Sequence, residues 1–306
     1  MTGRYVARRF GRCVLVLLGV AALAFLISRL KGDPVLLMVQ PGATTADIDA
    51  MRRSLGLDGP LWVQFARFVG GAVRGDLGVS IWQRQSVTTL LLERVPFTLR
   101  LASLAILTVI AVGVPAGIAA ARSRGGVWDQ TIMAVAVAGQ ALPTFWVGLM
   151  LIYLFAVDFR ILPSFGAGDW RHLVLPVVTL SLFSLARVTR LVRSSMLEVL
   201  GQDYIRTAQA KGLAGPSLLV RHALRNSLLP ITTLIGLEYG VALGGSVVTE
   251  TIFGLPGVGG LAVQAIFNRD FPLIQAVVLF TAAIFVVINF AVDLLYLVID
   301  PRVEYA

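Results

Sequence analysis

Six long apolar stretches constrain the fold of this chain more than any other feature. Each is close to the ~20 predominantly apolar residues that a helix needs to cross a bilayer. They occupy residues 12–30, 97–121, 131–159, 173–193, 228–248 and 273–298. Because a backbone in lipid must satisfy its own hydrogen bonds, such stretches form helices. The sequence therefore predicts an all-α polytopic membrane protein with six transmembrane helices.

Composition supports this prediction, since 57% of the residues are hydrophobic and only 14% are charged. The first stretch is long and is followed by Lys-Gly-Asp-Pro, with no small-residue cleavage motif, so it is expected to be a retained span. The fourth stretch is the weakest, because its uncharged part covers only residues 173–186.

The basic residues set the expected topology. The net charge is +9, and arginines cluster before the first span, after the second, after the fourth and at the end of the chain. With six spans and a cytoplasmic N-terminus, all these clusters lie on the cytoplasmic side, and so does the C-terminus. The basic excess is then explained by the lipid bilayer, and no nucleic-acid partner is expected.

This topology divides the chain into three parts. Residues 1–30 form an N-terminal tail and the first span, and residues 31–96 form a long extracytoplasmic loop. That loop contains seven basic residues, but loops beyond ~60 residues are translocated largely regardless of charge. Residues 97–306 form a five-helix core with a cytoplasmic loop at 194–227.

The cytoplasmic loop is charged yet keeps helical spacing of its apolar residues. A simple connection between two spans needs only a few turn residues. An ordered, amphipathic and mostly cationic segment of about two short helices predicts a docking surface for a cytoplasmic partner.

We expect no catalytic or metal site in the chain. Cys13 is the only cysteine, and the two histidines are predicted on opposite sides of the membrane. The glycine-rich residues 254–260 lack the Gly-Lys-Ser/Thr that would bind phosphate. If the chain moves cargo uphill, the energy must come from another subunit or from an ion gradient.

The fourth span ends in arginines at every third position: Arg187, Arg190 and Arg193. This spacing is typical of a voltage sensor, but these arginines fall at the predicted cytoplasmic end of the span. We expect them to extend to the interface there, and the sequence does not favour a channel.

Glu238 is the one acidic residue predicted deep within a span. A carboxylate is costly in lipid, so it should face protein or a water-filled cavity. One hypothesis is that Glu238 lines a translocation pathway. The alternative is a buried pair with an arginine or a protonated acid.

Glycines recur every four residues in two spans, at positions 113 and 117 and at positions 236, 240 and 244. Such stripes allow two helix backbones to approach closely. The sequence leaves open whether they pack within the chain or at a subunit interface.

Several local sequences, in order along most of the chain, resemble the binding-protein-dependent ABC transporter permeases of the dipeptide/oligopeptide/nickel family. They are Gly-Asp-Pro at 32–34, Leu-Gly-Leu-Asp at 55–58, Gly-Asp-Leu-Gly at 75–78, Asp-Tyr-Ile-Arg-Thr-Ala-Gln-Ala-Lys-Gly at 203–212, Glu-Thr-Ile-Phe at 250–253, Pro-Gly-Val-Gly at 256–259, Arg-Asp-Phe-Pro at 269–272 and Asp-Pro-Arg at 300–302. The resemblance implies a type I ABC importer permease fold in a bacterial cytoplasmic (inner) membrane.

In such permeases a cytoplasmic motif couples transport to the ATPases. Its generic Glu-Ala-Ala is matched here by Arg206, Thr207 and Ala208, and its glycine by Gly212. The resemblance thus implies an ATPase-coupling element of a short helix, a glycine turn and a second helix. Its members are Asp203, Tyr204, Ile205, Arg206, Thr207, Ala208, Lys211, Gly212 and Pro230. A face containing Tyr204, Ile205, Ala208 and Lys211 is expected to seat in the partner.

The resemblance also implies partners: a second homologous permease, two ATP-binding cassette subunits that bind ATP and Mg, and an extracytoplasmic binding protein. The chain itself would bind no cofactor. The cargo would be peptide-like, with dipeptides, oligopeptides, glutathione and nickel or metal chelates left open. The alternative is an ion-gradient-coupled secondary transporter.

On the outer side, the motifs imply an extracytoplasmic gate or loop. Its residues are Asp33, Pro34, Glu250, Phe253, Pro256, Gly257 and Gly259. Residues 31–96 would either receive the cargo or act as a lid that shields the outer mouth.

Overall fold

A computed structural model describes residues 2–30, 35, 44–54, 58–213 and 217–299. Asp33, Pro34 and the motif at 300–302 lie outside these residues. The elements are α1 Thr2–Leu30, α2 Thr45–Ser54, α3 Leu61–Val73, α4 Val87–Thr108, α5 Val114–Arg122, α6 Val127–Ala141, α7 Thr144–Leu151, α8 Arg171–Leu200, α9 Asp203–Ala210, α10 Arg225–Ile252, α11 Val258–Phe267 and α12 Phe271–Ile299. Three π-helical segments, Val109–Gly113, Ile152–Asp158 and Ser217–Leu224, join or extend them. Within these residues the chain forms no strand, and the only β pairing is an isolated bridge between Val79 and Ser86.

In the described part of the chain, five helices are long and apolar enough to cross a membrane, and a bent pair makes a sixth. The bent pair is α6 and α7 with its π-helical extension, which meet at 102°. The third predicted span is therefore bent in its middle. Proline disfavours helical backbone in the residue before it, and Leu142, before Pro143, is extended with ψ 131°.

Helix α8, which the sequence analysis treats as the weakest span, is the most enclosed of the single-helix spans. In its apolar window 56% of the residues are buried, compared with 39% or less in the other single-helix spans. It packs against α5, α6, α7 and α10. A helix surrounded by protein needs no continuous apolar surface, which explains why its hydropathy is low.

The chain divides into two compact units: residues Met1–Pro96 with Gly260–Val286, and residues Phe97–Gly259 with Val287–Ala306. In the first unit α1 packs on α3, where the Phe25 ring lies 5.6 Å from that of Phe65. The Gln275 side chain donates a hydrogen bond to the Ser28 hydroxyl, which attaches α12 to α1.

The core of the second unit lies where α8 meets α5, α10 and the π-helical segments. Its buried residues are Val109, Ala121, Val188, Val192, Met196, Ala223 and Ile231. Lipid tails are as apolar as these side chains, so close packing and polar pairs hold membrane helices together more than hydrophobic burial does.

The glycine stripes show this close packing. A methyl group on Gly117 would lie 2.6 Å from the Val192 Cβ on α8, and one on Gly236 would overlap Val292 on α12. These glycines therefore serve packing within the chain. Gly244 differs, because a methyl group there would meet no heavy atom within 4 Å.

Candidate functional site

The sequence predicts a short cytoplasmic helix closed by a glycine turn, and the structure contains both. Helix α9 ends at Ala210, and Gly212 adopts a positive φ of 86°. The Gly212 amide donates to the Gln209 carbonyl at 2.9 Å, and the Leu213 amide donates to the Ala208 carbonyl at 3.1 Å. This pair of bonds is a Schellman cap, which requires a left-handed residue where glycine is the least strained choice.

Helix α9 has one inward residue and a broad outward surface. Ile205 is wholly buried within the chain. The prediction that Ile205 is presented to a partner is therefore wrong for this conformation, and its role is to anchor the helix. The exposed residues of α9 and of the turn that follows it are Asp203, Tyr204, Arg206, Thr207, Gln209, Ala210, Lys211 and Gly212. Ala208 is half-buried. We call these exposed residues the α9 surface.

The α9 surface is tied to the next helical segment by Tyr204. The Asn226 side-chain amide donates to the Tyr204 hydroxyl at 2.8 Å and to the His222 carbonyl at 3.0 Å. Within the described part of the chain Arg206 pairs with Asp203 alone, at 3.3 Å, and both side chains are largely exposed. An exposed ion pair contributes about 0–1 kcal/mol, so it leaves Arg206 available to another acidic group.

A buried ion pair attaches α8, the helix that leads into α9, to the neighbouring helix α6. The Arg193 Nε and Nη2 atoms donate to the two Asp129 carboxylate oxygens at 2.5 and 2.7 Å. The Gly125 amide also donates to Asp129, at 2.9 Å. The pair joins α8 to α6, and such two-point pairs are geometrically specific. Arg193 is thus held by Asp129 near the end of α6 that follows the short loop.

Pro230 lies inside a helix, not at its start. The backbone is helical from Ser217 through α10, and Pro230 is an exposed interior residue of α10. Proline cannot donate a backbone hydrogen bond, which weakens the helix locally. The π-helical segment Ser217–Leu224 just before it shows the irregular backbone that often accompanies such sites.

Glu238 lies wholly buried on α10 and has two partners on α8. The Ser184 hydroxyl donates to Glu238 Oε2 at 2.6 Å, and Arg187 Nη1 lies 2.8 Å from Oε1. This arrangement matches the expected alternative of a buried pair with an arginine. Arg187 is thus paired across two helices, and its side chain is one-third exposed. The sequence contained a signal for this pair, because Arg187 is the first of the three arginines in its span and is therefore the nearest of them to the middle of that span.

Glu250 lies at the other end of α10 and explains the spacing of its motif. The Thr98 hydroxyl donates to Glu250 Oε1 at 2.7 Å and accepts from the Val258 amide at 2.9 Å. A methyl group on Gly257 would overlap the Glu250 carboxylate, and one on Gly259 would lie 2.8 Å from its Oε2. The two glycines therefore leave the room that the buried carboxylate fills.

Two other residues of this motif also serve the chain's own structure. Phe253 is buried, and its carbonyl accepts from the Gly166 amide at 3.0 Å. Pro256 is half-buried. The motif Glu-x-Ile-Phe to Pro-Gly-Val-Gly is thus a packed turn between α10 and α11, joined to the start of the second span through Thr98.

Two further motifs, separate in sequence, meet in the first unit. The Ser80 hydroxyl, after Gly-Asp-Leu-Gly, donates to Asp270 Oδ2, and the Trp82 amide donates to the same oxygen at 3.2 Å. The other oxygen of Asp270 accepts from the Leu273 amide at 3.3 Å at the start of α12. Ser80 and Asp270 are wholly buried. Asp270 thus fixes the turn at 75–86, a role that its position in the sequence does not reveal.

His172 contributes to a helix start. Its Nδ1 lies 2.8 Å from Asp169 Oδ1, and the Asp169 carboxylate also accepts from the Arg171 amide at 3.1 Å. The bond to His172 lowers the pKa of the Asp169 carboxyl from its ordinary value. Among the described residues, no three His, Cys, Asp or Glu side chains are grouped as a metal site would require.

The comparisons with known proteins agree with this geometry. The family described as binding-protein-dependent transport system inner membrane component matches residues 113–305. A second profile, for the N-terminal part of such membrane components, matches residues 2–102. Among solved structures, an inward-facing conformation of the MetNI methionine ABC transporter is similar, with a TM-score of 0.61. It is 18% identical and covers 69% of this chain and 96% of that chain, so it shows the fold alone.

Relatives at higher identity extend over the whole chain. A probable peptide ABC transporter permease protein of Sinorhizobium fredii, y4tP, is 41% identical over 99% of this chain and 100% of its own length. The dipeptide transport system permease protein DppB of Escherichia coli is 36% identical over 99% of each chain. These matches support an importer permease over an ion-gradient-coupled carrier. The chain belongs to the family of inner membrane components of binding-protein-dependent transport systems.

Proposed function

We propose that the chain is one of two membrane subunits of an ATP-driven importer that passes peptide-like solutes from an extracytoplasmic binding protein into the cytoplasm. The named relatives support the peptide class. ATP and Mg would be bound by two partner ATPase subunits. The observation that carries the proposal is the α9 surface, an exposed helix closed at Gly212 and attached to two spans.

The α9 surface is proposed to transmit movement because its attachments leave little freedom. Buried Ile205 anchors it inward, and the Tyr204–Asn226 bond fixes it to the segment that continues into α10. The chain enters α9 directly from α8, whose end is joined to α6 by the Arg193–Asp129 pair. A displacement of α9 by an ATPase would therefore move these spans nearly as a rigid body, as in domain rocking.

Site-specific crosslinking tests this contact. In a Cys13→Ser background, Arg206→Cys should crosslink to an ATPase subunit in the assembled transporter. A matched control is Trp62→Cys, which is also exposed but lies on α3 in the long loop predicted to be extracytoplasmic. Crosslinking from position 62 and not from position 206 would overturn the assignment.

The extracytoplasmic motifs are proposed to hold a fixed surface for the binding protein. The Ser80–Asp270 bond anchors the turn at 75–86, and Trp82 is 67% exposed on it. If residues 31–96 receive cargo, Trp82→Cys should crosslink to the cargo-loaded binding protein. If the loop is only a lid, no crosslink should form although uptake continues.

Glu238 is proposed to join two spans, and the competing hypothesis is that it lines the translocation pathway. A carboxylate occupied by Arg187 and Ser184 holds α8 and α10 together and does not present a free charge to cargo. We therefore expect Glu238→Gln and Arg187→Gln to lower uptake of cationic and neutral cargo by similar factors. A selective loss of cationic cargo in Glu238→Gln would instead show direct contact with the cargo.

Uptake into proteoliposomes that contain the complete transporter tests the function itself. Uptake of labelled dipeptide should require ATP and should survive collapse of the proton gradient. Unlabelled peptides should compete, whereas nickel should not. Uptake that needs the gradient and not ATP would contradict the importer proposal, and competition by nickel alone would contradict the peptide class.

A further inference from the structure

An open cleft of about 660 Å³ lies beside the segment that leads from α9 into α10. Its walls come from the end of α5, the start of α6 and the π-helical segment Ser217–Leu224. The residues that matter here are Ile118, Ala119, Arg122, Trp128, Ile132 and Leu219. All belong to the second compact unit.

The cleft combines an apolar interior with one cation. Arg122 lines the cleft and has no hydrogen bond or ion pair within the described part of the chain. It is the last residue of a helix that is predicted to end at the cytoplasmic boundary of the membrane. The nearest acid along the chain, Asp129 in the first turn of α6, is occupied by Arg193 and by the Gly125 amide. The charge of Arg122 is therefore available to a ligand.

The position of the cleft relative to the membrane limits the chemical class of that ligand. Its helices are membrane spans, and Arg122 and Trp128 lie at the ends of two of them, on either side of a short loop. Trp128 is 72% exposed, and tryptophan favours the boundary between headgroups and acyl chains. A ligand with an anionic head and an apolar tail meets both the cation and the apolar walls.

We propose that this cleft binds one anionic phospholipid, with its phosphate on Arg122 and an acyl chain along Ile118, Ile132 and Leu219. Basic pockets between helices on the cytoplasmic side of membrane proteins are suited to such headgroups. Because Leu219 belongs to the segment between α9 and α10, the bound lipid stabilises the position of the α9 surface. This proposal does not depend on which cargo the transporter carries.

Native mass spectrometry of the full chain in mild detergent tests the proposal with added phosphatidylglycerol or phosphatidylcholine. The chain should bind one phosphatidylglycerol more tightly than phosphatidylcholine, by about fivefold for one interfacial arginine. Arg122→Gln should remove this preference. Arg124→Gln is the matched control, since Arg124 is exposed on the same loop but does not line the cleft, and it should keep the preference.

A second variant tests the apolar part of the cleft. Ala119→Phe places a ring in the open space and should lower the affinity for both lipids. Equal binding of the two lipids, a preference that survives Arg122→Gln, or no effect of Ala119→Phe would each overturn the proposal. Loss of the bound lipid when the ATPase subunits assemble would also overturn it, because the cleft would then be a subunit interface.

Discussion

Gly257 offers the sharpest test of the packed turn between α10 and α11. In Gly257→Ala, the new methyl group would overlap the Glu250 carboxylate. A flexible side chain could usually swing away, but Glu250 is wholly buried, accepts a 2.7 Å bond from Thr98 and is confined on another side by Gly259. Either that bond breaks or the helices separate.

Each of these responses costs about 1–3 kcal/mol, so we expect a loss near 2 kcal/mol. That loss lowers the folded-to-unfolded ratio roughly 30-fold. SDS titration of the purified chain in mixed micelles, followed by tryptophan fluorescence, measures it. Gly244→Ala in α10, the helix that carries Glu250, is the control, because its methyl group meets nothing within 4 Å and should cost nothing.

A double-mutant cycle then identifies the cause. Glu250→Ala destabilises the chain by itself, but it removes the group that the new methyl would strike. In that background Gly257→Ala should cost almost nothing, which corresponds to a coupling free energy of about 2 kcal/mol for residues in contact. Additive effects of the two substitutions would refute the reasoning.

Three further substitutions test other contacts by the same titration. Gly117→Ala should cost about 1–3 kcal/mol, since its methyl group would lie 2.6 Å from Val192; an unchanged midpoint would contradict the close α5–α8 packing. Asp129→Asn should cost about 1–3 kcal/mol, and adding Arg193→Gln should then cost little; full additivity would show that the two side chains act separately. Arg269→Gly should keep stability or raise it by about 1 kcal/mol, since its φ of 54° suits glycine; a loss would show that the guanidinium itself is needed.

Much of the fold could be predicted because it depends on local patterns. Apolar length identified the spans, and the family resemblance placed Gly212 at the turn after α9. The bend of the third span was missed although its signal was present. A hydropathy value averaged over the residues on both sides of Pro143 does not detect the extended backbone that the proline imposes on Leu142.

The polar contacts could not be predicted in the same way. The Arg187–Glu238 pair requires the relative rotation of α8 and α10, which no local pattern encodes. The presentation of Ile205 was predicted from its helical face, but its burial depends on the neighbouring segments. The Ser80–Asp270 bond joins motifs far apart in sequence, and resemblance alone did not show that they meet.

The central claim is that the α9 surface passes the movement of a separate ATPase to the spans. The most direct measurement is cargo uptake into vesicles by a transporter in which the order of residues 203–212 is scrambled. We predict that uptake is abolished while the ATPase subunits still bind ATP. Uptake at the level of the unmodified transporter would contradict the claim.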